Sequence, residues 1–76
     1  MSFRQYVANR RVTRTPPGDF VGDARSDAGL PDATTWVELK AYLHTKGAIP
    51  AAVVAAKSVW RGYIASKRRS GGGTNA

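Results

Sequence analysis

The run Thr15-Pro16-Pro17-Gly18-Asp19-Phe20-Val21-Gly22-Asp23-Ala24-Arg25-Ser26-Asp27-Ala28-Gly29-Leu30-Pro31 constrains this chain more than any other segment. Two adjacent prolines end a preceding helix, yet both fit the first turn of a new one, where no amide hydrogen is required. Thr15 stands where a cap is needed. The run therefore predicts a helix that starts at the prolines and stops at Gly29, ahead of Leu30-Pro31. Asp19, Asp23 and Asp27 recur every four residues, a spacing that sets three carboxylates on one helical face. Asp19 falls at the positive end of the helix dipole, and an ion pair with a neighbouring arginine accounts for Asp23. Phe20, Val21 and Ala24 supply the apolar side.

Three more helices are expected around this one. Ser2-Phe3-Arg4-Gln5 has the form of a capping box, and Phe3, Tyr6 and Val7 share a face of a helix that fades near Val12 and Thr13. Thr35-Trp36-Val37-Glu38 repeats the capping box. Trp36, Leu39 and Leu43 then recur at helical spacing beside Tyr42, and Gly47 ends the helix. Pro50 opens a fourth and longest helix, expected to reach Lys67, with an apolar arc of Val53, Ala56, Val59, Trp60, Tyr63 and Ile64. The expected core is Phe3, Tyr6, Phe20, Leu30, Trp36, Leu39, Leu43, Trp60, Tyr63 and Ile64. Residues 1–69 thus read as a single domain, an all-α compact bundle of four to five short helices. Ser70-Gly71-Gly72-Gly73-Thr74-Asn75-Ala76 reads as a disordered C-terminal tail.

Length limits what such a bundle can do. The chain has 76 residues, and a domain of this size buries only about 60% of its unfolded surface, too little for a deep catalytic cleft. Cysteine is absent, which excludes disulfides and thiolate metal sites and suits the cytoplasm. No run approaches the roughly 18 apolar residues of a membrane span, and Arg4 interrupts any secretory leader. Basic residues beside an apolar arc are also a mark of interfacial helices, but here Trp60 and Tyr63 are needed for the core, so no membrane partner is expected.

Charge is distributed as unevenly as the helices are regular. The net charge is +7. Residues 1–14 carry Arg4, Arg10, Arg11 and Arg14 without an acid. Residues 15–45 hold all five acids against Arg25 and Lys40. Residues 46–76 carry Lys46, Lys57, Arg61, Lys67, Arg68 and Arg69. Basic ends around an acidic middle orient a molecule towards a polyanion. On the fourth helix Lys57, Arg61 and Arg68 fall within about 40° of one another at about 100° per residue, bordering the apolar arc. Lys67 falls inside that arc, where it snorkels or where the helix has left the core.

Nothing in the chain assembles a catalytic constellation, so it is not expected to be an enzyme. His44 is the single histidine, without a cysteine to pair with. Ser66 and Ser70 have no base in reach of the sequence pattern. The three aspartates at helical spacing do not resemble a calcium loop, which takes its ligands from a turning backbone. Gly18 and Gly22 follow no strand and make no phosphate loop. No catalytic residue, cofactor, metal or small-molecule substrate is expected.

The ordered motifs together resemble the YozE-like SAM-like domain family of small bacterial proteins. They are Met1-Ser2-Phe3-x-x-Tyr6-Val7, Pro17-Gly18-Asp19-Phe20-x-x-Asp23, Asp27, Leu30-Pro31, Trp36-x-Glu38-x-x-x-Tyr42-Leu43 and Trp60-x-x-Tyr63, spanning about residues 1–65. The resemblance implies a SAM-like helical bundle without an established enzymatic activity. Leu30 stands where the family pattern has an aromatic residue, Trp36 where it has tyrosine, and this chain is more basic.

Two functions are compatible with these features. One is nucleic-acid binding, with DNA phosphates contacted by Lys57, Arg61, Lys67, Arg68 and Arg69 together with Arg10, Arg11 and Arg14. No recognition helix is evident, because the link after the second helix is longer than a helix-turn-helix turn and contains Pro31. The other is a protein-protein interaction module, either self-associating or adapting a partner, in which the acidic middle of one copy meets the basic end of another. The charge map favours nucleic acid slightly and fits both.

Overall fold

The computed structural model describes residues 1–73, and these form four helices: α1 (Phe3–Ala8), α2 (Pro16–Arg25), α3 (Trp36–Thr45) and α4 (Pro50–Gly73). No strand occurs among the described residues. The protein is an all-α bundle arranged around one long helix: α4 packs against each of the other three, and α1 also packs against α2.

The helix starts follow local chemistry. Ser2 accepts from the Gln5 amide at 3.2 Å while the Gln5 side chain accepts from the Ser2 amide at 3.0 Å, a complete capping box. Thr15 caps α2 by accepting from the Gly18 amide at 3.2 Å, with both prolines in the first turn. The second capping box is only half formed. Thr35 accepts from the Glu38 amide, but the Glu38 carboxylate takes its hydrogen bond from the Thr34 hydroxyl at 2.7 Å. At the end of α3, Gly47 adopts φ 75°, the left-handed region that costs other residues about 1 kcal/mol or more. The Ala48 amide then reaches the Leu43 carbonyl and the Gly47 amide the His44 carbonyl, both at 3.0 Å, which satisfies two carbonyls left open by the helix end.

Three helix ends differ from the sequence-based expectation. α1 stops at Ala8 rather than near Val12, because Val12 and Thr13 are drawn onto α2, where they lie against Gly22 and Gly18. α2 stops at Arg25, not Gly29, so Asp27 is not on the helix and the three aspartates do not share a face. The Asp27 carboxylate instead accepts from the Gly29 amide at 2.9 Å and closes a turn. α4 continues past Lys67 to Gly73. Part of the tail expected over 70–76 is therefore helical backbone, and 74–76 lie outside the described residues.

The core is aromatic at one end and built of small residues at the other. Phe3 and Tyr6 of α1 meet Trp60 and Tyr63 of α4, with ring centres 5.1 Å apart for Phe3–Trp60 and 5.4 Å for Phe3–Tyr63. The tilted and edge-on angles of these pairs suit the ring quadrupoles. Phe20, Val21 and Ala24 of α2 are buried, as are Ala55, Ala56 and Val59 of α4. The alanines let α2 and α4 approach closely. Leu30, Leu39 and Leu43 are buried as expected, whereas Trp36 and Ile64 are only half-buried at the edge of the core. No helix among the described residues is long and apolar enough to cross a membrane.

Candidate nucleic-acid interface

All eight arginines and lysines singled out from the sequence are exposed, but the fold separates them into distinct sets. Lys57, Arg61 and Arg68 share one flank of α4, within about 40° of one another on a helical wheel and beside the apolar arc. Lys57 leans towards α3, with its ammonium 5.8 Å from the centre of the Trp36 ring. Lys67 snorkels, its ammonium 5.8 Å from the centre of the buried Tyr63 ring. Arg69 turns to the opposite flank, since a helical wheel places it between Ser58 and Gly62. From Ile64 to Arg69 no residue is fully buried, so the Lys67-Arg68-Arg69 cluster stands clear of the core.

Arg10 and Arg11 occupy that same flank from the other side. They follow α1 and line a groove of about 190 Å³ between the 9–15 segment, the start of α2 and residues Ser58 and Gly62 of α4. Arg10 is set by two contacts: its guanidinium lies 5.2 Å from the centre of the Tyr6 ring, and its carbonyl accepts from the Arg25 side chain at 3.4 Å. Arg14 is exposed between Thr13 and Thr15, whose hydroxyls hydrogen-bond to each other at 2.8 Å. The sequence pattern pointed to the arginines but not to Ser58, Gly62 or the threonine hydroxyls. A glycine in the middle of a long helix was the available signal, because it costs about 1 kcal/mol of helix propensity relative to alanine.

Among the described residues none of these eight cations is in an ion pair. Among the described residues the one ion pair is Lys46–Asp27, at 3.9 Å. Asp23, expected to pair with an arginine, does not, and with Asp19 it lies exposed on α2. α4 itself contains no acid. The carboxylates that are engaged lie elsewhere. Asp32 accepts from the Arg4 amide at 3.1 Å, and Asp27 accepts from the Tyr42 hydroxyl. That bond to Tyr42, aided by the Gly29 amide and Lys46 against the effect of burial, holds the Asp27 carboxyl below the usual carboxylate range. The same bond raises the Tyr42 phenol above its ordinary value. This network ties the end of α2 to α3 and serves structure.

The remaining concavities are of different character. A cleft of about 430 Å³ between α1 and the α2–α3 link carries Arg4 and Arg25 opposite Asp27 and Asp32, so its charges oppose one another. A groove of about 240 Å³ between α2 and the start of α4 has Asp19 and Asp23 beside Phe20, Ile49, Ala52 and Ala55. His44 is exposed on α3, and no group of three or more potential metal ligands occurs among the described residues. Compared with known proteins, this chain matches no family, no curated protein and no solved structure.

Proposed function

We propose that this protein is a non-catalytic cytoplasmic nucleic-acid-binding protein that holds the phosphate backbone of DNA along α4. One observation carries the reading: α4 is free of acids, and its exposed Lys57, Arg61, Lys67, Arg68 and Arg69 have no carboxylate within ion-pair distance among the described residues. Cations left unpaired by the fold are available to displace counterions from a polyanion. From Lys57 to Arg68 the helix rises by about 16 Å, a length over which duplex DNA carries on the order of ten phosphate charges. The protein meets phosphates, so affinity is largely independent of base sequence. In this reading the chain is a YozE-like SAM-like module, supported by its ordered aromatic and aspartate motifs.

Fluorescence anisotropy of a labelled random-sequence duplex, titrated at several salt concentrations, tests the proposal. Micromolar binding that weakens steeply with salt is expected. Replacing Arg61 and Arg68 together with alanine should lower the slope of log K against log salt by about 1.8, at about 0.9 for each phosphate no longer neutralised. Absence of binding at low salt rejects the reading. The groove bearing Asp19 and Asp23 over an apolar floor then favours the second one, a protein-interaction module, and concentration-dependent sedimentation of the protein alone tests for self-association.

A further inference from the structure

The 9–15 segment, which carries three arginines, is pinned by missing side chains. Val12 rests on Gly22, where a Cβ would lie 3.3 Å from Val12 Cγ1. Thr13 lies so close to Gly18 that a Cβ there would stand 2.6 Å from the Thr13 nitrogen. Across the groove, the Tyr6 hydroxyl fills the place where a Cβ on Gly62 would sit, at 2.6 Å. Arg10 is stacked on the same tyrosine. The segment is thus held against α2 and faces the Ser58–Gly62 side of α4 across a gap lined by hydroxyls and guanidinium-bearing residues. Among the described residues no carboxylate lines the gap.

Size and chemistry limit the occupant. At about 190 Å³ the groove is below the roughly 300–1,000 Å³ of sites for drug-sized ligands. At about 30 Å³ per water it holds on the order of six waters, room for one small hydrated anion. Its lining residues bring the Arg10 and Arg11 guanidiniums, the Ser58 hydroxyl and one hydroxyl hydrogen from the Thr13–Thr15 pair, the other being used in the bond between them, a set suited to an anion with several acceptor oxygens. The start of α2 contributes no free amide here, since Pro16 and Pro17 lack one and the Gly18 amide is bonded to Thr15.

We infer that this groove seats one phosphodiester of the bound nucleic acid, with Arg10 and Arg11 as its guanidinium donors and Ser58 as its contact from α4. The inference rests on the nucleic-acid reading above and deepens it: the strand does not lie only along the Lys57, Arg61 and Arg68 flank of α4 but is gripped between that helix and the 9–15 segment. Arg69 continues the path on the same flank of α4.

The test compares three variants of the full chain that each lower the net charge by one unit: Arg11→Ala, Ser58→Glu and, as control, Lys40→Ala on the exposed side of α3. Anisotropy titrations with the labelled duplex at fixed salt should show affinity reduced roughly tenfold for Arg11→Ala and Ser58→Glu, the scale of one charge-assisted hydrogen bond. Lys40→Ala should change it less than about twofold. Equal reductions in all three variants overturn the groove and leave general charge attraction standing. No binding by the unaltered protein overturns the nucleic-acid reading, and the groove inference with it. Amide shifts of the isotopically labelled wild-type chain give a readout independent of any variant. Added duplex should move Arg11, Thr13, Ser58 and Gly62, whereas shifts confined to Lys57, Arg61 and Arg68 overturn the groove.

Discussion

Replacing Gly18 with alanine is the most direct perturbation of this architecture, because helix propensity and tertiary packing predict opposite signs. Gly18 lies inside α2, where Gly→Ala stabilises by about 1 kcal/mol when nothing else intervenes. Here the new Cβ would stand 2.6 Å from the Thr13 nitrogen, and nearer still to the Thr13 carbonyl oxygen and hydroxyl. Two of these atoms are backbone and cannot swing aside. Overpacking of this kind costs about 1–3 kcal/mol, and the upper end applies because a chain segment must move. After the propensity gain, a net destabilisation of about 2 kcal/mol remains. For a domain of this size that corresponds to a fall in Tm of about 8–16 °C. Gly22→Ala is the matched control on the same helix. Its Cβ meets only the two methyls of the exposed Val12 side chain, at 3.3 and 3.8 Å, and these can turn aside where backbone atoms cannot, so it should be neutral or slightly stabilising. Urea titrations followed by tryptophan fluorescence and far-ultraviolet circular dichroism measure both. A Gly18→Ala protein as stable as Gly22→Ala would refute the packing of the 9–15 segment on α2, and with it the placement of Arg10 and Arg11.

Trp60→Ala should cost about 3–5 kcal/mol, since Trp60 is 7% exposed and joins α4 to Phe3. The whole domain has only about 4–11 kcal/mol at typical per-residue stability, so loss of the cooperative transition in calorimetry is expected and an unchanged Tm would contradict the core. The Asp27–Tyr42 bond predicts a pH response at both ends. Asp27 is held below its ordinary 3.8, so its contribution is complete above that value and is lost as pH falls through the lower folded-state pKa. Tyr42 is raised above 10.0, so its contribution is complete below that value and is lost as pH rises through the higher folded-state pKa. Tyr42→Phe should lower the Tm at neutral pH and flatten both limbs of a Tm–pH profile; a profile identical to that of the wild type would exclude the bond.

Much of the fold is written in short-range pattern. Ser2, Thr15 and Thr35 each cap an amide three residues on, Pro16, Pro17 and Pro50 occupy helix starts, and Gly47 ends α3. The aromatic residues at helical spacing, Phe3, Tyr6, Trp60 and Tyr63, form the expected core. Such features are readable because each depends on atoms within about one helical turn, where geometry is set by the backbone itself. Trp36 and Ile64 show the limit: periodicity marks an apolar side but does not say where the packed centre ends.

The candidate site divides along the same line. The cationic residues and their sequence grouping came from the chain alone, because charge is a property of composition. Which of them face together did not. The aspartate spacing suggested a continuous acidic face, yet α2 ends at Arg25 because Asp27 makes its bonds to Gly29 and Tyr42. The segment after α1 looked helical to Val12, yet it leaves the helix to lie over Gly18 and Gly22. Gly62 in α4 meets Tyr6 of α1, far away in sequence. Local sequence thus determined four helices, their starts and their apolar sides. Only the tertiary structure decided that Arg10 and Arg11 line a groove with α4 while Lys57 turns towards α3, because those placements depend on close approach between helices that no local pattern encodes.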